Sequence, residues 1–147
     1  MKTVRFSEGR FVHAHINLRP NLNLMSTVRQ FEELHCWQKA RELVTLVFLE
    51  SSKGPLAKDF GTRDQIRRAA MSVMNNIAEG FGRDSDKEFI RFLDIAQSSC
   101  MEVKSITYVL EDLAYLPMAT ILLIRTKAEE AKGLTRGLRS YLKKKLL

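Results

Sequence analysis

The chain has 147 residues, enough for one domain with a sizeable core, and its 45% hydrophobic and 28% charged content excludes global disorder. No apolar run approaches the 18 residues of a membrane span, and Arg5, Glu8, Arg10 and His13 break up any secretory-type apolar core. The net charge of +7 is unevenly placed: residues 1–27 hold four basic residues and one acid, 28–116 hold 12 and 14, and 117–147 hold eight and two.

Residues 1–27 show no helical stripe. Phe11–Ile16 has the pattern of a short strand, but nothing nearby pairs with it, so the segment reads as a poorly ordered tail. Met25 opens a stretch that looks like an ordinary protein start, which makes residues 1–24 a candidate upstream extension. Residues 28–147 read as one helical domain. Its first helix spans about Leu34 to Ser52, with Trp37, Ala40, Val44, Val47 and Phe48 in one stripe. Cys36, Leu43, Leu46 and Leu49 widen that stripe beyond one face, so this helix is expected to be covered on more than one side, as at a subunit interface. Lys53-Gly54-Pro55 ends it, and residues 54–61 read as a loop.

The second and third helices form a hairpin over residues 62–100. Ile66, Ala69, Ala70, Val73, Ile77 and Phe81 share one face of the second helix. Thr62 is its expected N-cap, and Gly80 and Gly82 are its expected left-handed stop. Ser85-Asp86-Lys87-Glu88 has the capping-box pattern and restarts the chain as a third helix, with Phe89, Phe92, Leu93, Ala96, Cys100, Val103, Ile106, Leu110 and Leu113 facing inward. Pro117 suits the first turn of a fourth helix. That helix carries Ile121, Ile124, Ala128, Ala131, Thr135, Leu138 and Leu142 in a near-heptad seam, with Gly133 and Gly137 as sites of close approach or a bend. Four helices with short connections predict an all-α, antiparallel up-and-down bundle.

Little of this pattern carries chemistry. Cys36 and Cys100 lack the spacing of a metal or redox pair and read as buried thiols of a reducing cytoplasm. His13 and His15 lack further ligands nearby, and Glu32-x-x-His35 stands alone where a di-metal bundle needs two such pairs. No nucleophile–base pair is visible, so no catalytic, cofactor or metal residue is assigned and the protein reads as a non-enzyme.

Two polar constellations remain. Arg68, Ser72, Asn75 and Glu79 share a helix face, which is either a solvated surface, a polar contact between subunits or the lining of a central opening. Arg125, Lys132, Arg136, Arg139 and Lys143 fall within roughly 60° of arc at 100° per residue, and Lys144 extends the run. Such a stripe is a candidate phosphate-binding face for RNA or DNA; the competing readings are cations placed at a helix C-terminus by the dipole and an ordinary solvated charge run.

Residues 31–116 resemble a known family. The resemblance rests on Phe31-x-x-Leu34-x-x-Trp37-Gln38-Lys39-Ala40, Gln65-Ile66-Arg67-Arg68-Ala69-Ala70, Asn76-Ile77-Ala78-Glu79-Gly80-Phe81-Gly82-Arg83, and the run from Ser85 through Ala96. These are similar to the four-helix-bundle proteins of intervening sequences in bacterial 23S rRNA genes. Met74 departs from the proline common there. The resemblance implies a left-handed bundle assembling as a homopentameric ring. The bundle also looks like the accessory protein of diversity-generating retroelements, which implies nucleic-acid binding or an adaptor role toward a protein such as a reverse transcriptase.

Overall fold

A computed structural model describes residues 28–147. The tail, its strand pattern, His13 and His15 lie outside the described residues. Four helices follow one another: α1 (His35–Glu50), α2 (Phe60–Phe81), α3 (Asp86–Asp112) and α4 (Met118–Lys145). Short 3-10 turns at Phe31–Glu33 and Pro55–Ala57 precede α1 and α2. Each helix packs on two neighbours in the cyclic order α1, α2, α3, α4. Interhelix bonds set the antiparallel registers. Gln65 reaches Glu102 and Ser72 meets Ser99 between α2 and α3, while Lys127 reaches Glu42 between α4 and α1. The all-α up-and-down bundle is therefore as expected.

All seven residues of the α4 seam are buried, from Ile121 to Leu142. The α2 stripe is buried from Ile66 to Ile77, with Phe81 half-buried. In α1 the buried seam is Cys36, Ala40, Leu43 and Val47, rotated from the expected stripe. Trp37 and Val44 are only half-buried, and Phe48 and Leu49 are exposed. The rotation arises because Val44 and Leu43 are equally apolar, and contact with α2 and α4 together selects the Leu43 side. Leu113 faces solvent at the end of α3, Ile106 is half-buried, and Thr107 is fully buried among the inward residues.

The helix ends correct three expectations. Asp59, not Thr62, caps α2: its carboxylate accepts the Thr62 N–H at 3.0 Å and the Thr62 hydroxyl at 2.8 Å. A carboxylate at the N-terminus satisfies an orphan donor and meets the positive dipole end, which makes Asp59 the better cap. Those bonds, with the Tyr115 hydroxyl at 3.1 Å, hold the Asp59 carboxyl below its usual range. Ser85 caps α3 as expected, accepting the Glu88 N–H at 3.2 Å. Neither Gly80 nor Gly82 is left-handed. Among the described residues the left-handed ones are Gly54 in the α1–α2 connection and Ala114 after α3.

Gly80 has a different role. A Cβ there would lie 2.6 Å from the Phe89 ring and 2.8 Å from Phe92 Cβ. Glycine is what lets the end of α2 touch the start of α3. Gly133 and Gly137 meet nothing within 4 Å of an added Cβ, so neither marks a close approach within the chain.

Gly80→Ala is expected to lower stability by about 1–3 kcal/mol, because overpacking outweighs alanine's better helix propensity. Gly133→Ala should raise it by up to about 1 kcal/mol. Urea midpoints of the two variants check both signs. Burial pushes the Cys36 and Cys100 thiols up to about 12. Both should resist thiol reagents at pH 8 until the protein unfolds. Because the folded values are raised, stability should also fall as pH rises above 9, where unfolded thiols ionise. Labelling rates and alkaline melts check this pair of outcomes.

Candidate nucleic-acid interface

The α4 residues singled out from the sequence fall into two groups. The helix turns its core seam inward, and the cationic arc sits beside that seam on the side facing α3. Register with α3 then decides what each cation meets. Arg125 donates from Nε to the buried Thr107 hydroxyl at 2.9 Å and pairs through Nη2 with Glu111. Its guanidinium also lies 3.8 Å from the Tyr108 ring centroid, and its side chain is only 15% exposed. Arg139 pairs with Asp94, and the Lys132 ammonium rests against the Met101 sulfur. These three side chains join α4 to α3.

Two further pairs extend the seam. Lys104 binds Glu129 at 2.8 Å, and Lys145 binds Asp86 at 2.8 Å. The Lys104 hydrogen bond holds the Glu129 carboxyl low, and Asp86 raises Lys145. Such exposed pairs contribute little stability each, typically below about 1 kcal/mol. Their consequence here is geometric: they fix where the neighbouring cations stand.

Arg136, Lys143 and Lys144 differ. All three are exposed, and none has a carboxylate partner among the described residues. They occupy the last three turns of α4, where the helix dipole favours cations. Residues 132–147 contain six cations and no acid. The free positive charge of α4 is thus concentrated toward its C-terminal end.

The α2 ladder is also divided. Ser72 is half-buried, sharing a 2.8 Å hydrogen bond with Ser99 of α3, and Asn76 donates to the Ser72 carbonyl and hydroxyl. Arg68 binds Gln65 on its own helix, and Glu79 pairs with Arg83. Asn75 is exposed. Asn76 and Ser99 were not singled out from the sequence. Their signal was weak: Ser99 is a polar residue inside an otherwise apolar α3 stripe.

On the far side of the bundle, α1 carries a shallow groove of about 670 Å³ lined in part by Trp37, Gln38, Arg41, Leu46 and Leu49. No group of three or more His, Cys, Asp or Glu residues suited to a metal is present among the described residues. No helix there is long and apolar enough to cross a membrane.

The family model described as 23S rRNA-intervening sequence protein matches residues 32–137. A crystal structure at 1.70 Å of a protein of unknown function from the S23 ribosomal protein family of Bacteroides thetaiotaomicron VPI-5482 is similar in fold. It is 22% identical with a TM-score of 0.62, over 68% of this chain and 94% of that one. No curated protein matches the chain. The match over residues 32–137, with its four antiparallel helices, places this chain in the 23S rRNA-intervening sequence protein family.

Proposed function

We propose that the protein is a non-enzymatic, cytoplasmic homo-oligomer that binds RNA or DNA phosphates through the free end of α4. The observation that carries this reading is the division of the α4 cations. Arg125, Lys132 and Arg139 are engaged by α3, whereas Arg136, Lys143 and Lys144 are exposed without an acidic partner among the described residues. Cations without local partners are the ones whose counterions a phosphate backbone displaces, giving affinity that is independent of sequence and falls with salt. The engaged cations fix the orientation of α4 and act only indirectly.

Self-association is supported by the outer face of α1. The pairs Lys39–Glu130 and Glu42–Lys127 set the α1–α4 register, which brings Leu46 and Leu49 level with Leu123 of α4. Leu49 and Leu123 are 59% and 45% exposed. Apolar side chains grouped in this way mark an interface. The same patch supports a second reading, in which a different protein covers it and the bundle is an adaptor without direct nucleic-acid contact.

Changing Arg136, Lys143 and Lys144 together to Gln should weaken binding to a structured RNA by at least about tenfold at low salt, with the thermal midpoint nearly unchanged. Arg125→Gln should do the reverse, lowering the midpoint and leaving the salt dependence intact. Equal affinity for the triple variant would contradict the assignment. Leu49→Asp with Leu123→Asp should shift the sedimentation coefficient to that of the monomer. An unchanged oligomer would remove α1–α4 from the interface, and a monomeric wild-type protein would favour the adaptor reading.

A further inference from the structure

The geometry points to a nucleic-acid surface that includes the first turns of α3, through Lys87 and Arg91, and that takes duplex rather than single-stranded partners. This rests on the phosphate-binding reading above and extends it to a second helix and a partner class.

Placement comes from two ion pairs. Lys145–Asp86 and Arg139–Asp94 join α4 to α3 at the same end of the bundle. Lys87 and Arg91 lie between the two acids, and Lys143 and Lys144 lie between the two cations. Lys87 stands seven residues before Asp94, within about 20° of it on the helix. It therefore emerges on the side of α3 that faces α4. Arg91, three residues before Asp94, is displaced by about 60° toward solvent. Both are exposed, and neither has a carboxylate partner among the described residues. The acids of this end do not cancel the field. Asp86, Asp94 and Glu79 of α2 are already paired, leaving Asp84 and Glu88, and residues 83–94 with 132–147 hold nine cations against four acids, or five with Glu79.

The partner class follows from the aromatics. Proteins that bind single strands present aromatic faces on which bases stack. At this end Phe92 is half-buried, with the Arg83 and Arg91 guanidiniums 4.7 and 5.7 Å from its ring centroid. Tyr141 is half-buried against the core. Among the described residues the exposed aromatics are Phe48, Phe60 and Tyr108, placed toward the C-terminus of α1, the N-terminus of α2 and the second half of α3, away from the patch. A two-helix array of fixed cations, with no exposed stacking platform beside it among the described residues, suits the dense, regular phosphates of a duplex and reads no bases.

The test titrates the full chain against a 20-base-pair RNA duplex, the matching DNA duplex and an unstructured single strand of equal length, at several salt concentrations. Both duplexes should bind about tenfold more tightly than the single strand. Lys87→Gln with Arg91→Gln should lower duplex affinity and reduce the log–log salt slope by about 2, with unchanged helicity and melting. A preference between the two duplexes would identify which form supplies the phosphates. Single-strand binding equal to or tighter than duplex binding would overturn the partner class. A normal slope in the α3 variant, with a reduced one in the α4 triple variant, would overturn the α3 surface and leave the α4 reading standing. No binding to any probe would defeat both.

Discussion

The bundle depends on the close approach of α2 and α3 at Gly80. With no Cβ at that point, the Phe89 ring and Phe92 lie against the α2 backbone, and α3 can start immediately after a short turn capped by Ser85. That contact sets the position of α3. The Ser72–Ser99 and Gln65–Glu102 bonds then continue the same register along the hairpin. α4 is laid onto α3 in turn by Arg125, Lys104 and Arg139. Which cations are left free is the last consequence of a chain that begins with one missing methyl group.

This ordering explains why a stripe on a helical wheel is not itself a binding site. Five α4 cations share about 60° of arc, yet they divide according to what α3 presents opposite them. The charged pairs along the seam lie at the surface and contribute little energy individually. Arg125 is the exception, because its guanidinium is largely covered and satisfies the buried Thr107 hydroxyl. Losing it would leave Glu111 without its cation, while the Thr107 hydroxyl would keep only its bond to the Lys104 carbonyl.

The helices were legible because their apolar periodicity is strong. The α4 seam recurs every three or four residues, and every member is buried. The capping Ser85 was legible from its own tetrapeptide. The α1 stripe was not, because α1 is apolar around most of its circumference and only contact with two neighbours chooses a side. The role of Gly80 was misread for a related reason. A glycine at a helix end suggests a left-handed stop, whereas close packing against Phe89 depends on a residue nine positions away. The same limit applies to the basic face. The partners of Arg125 and Arg139 lie 14 and 45 residues distant, and interhelix register decides them. Asp59 carries a local signal, a carboxylate three residues before Thr62, and its charge makes it a stronger cap than the threonine.

The bundle's own packing separates structural cations from those available to phosphate. Lysine modification rates, read by mass spectrometry with and without saturating duplex RNA at low salt, test it most directly. Lys87, Lys143 and Lys144 should react readily in the free protein and become protected by the RNA, while Lys104 and Lys127 remain slow and unchanged. Protection centred on Lys104 or Lys127, or none at Lys143 and Lys144 with RNA bound, would contradict it.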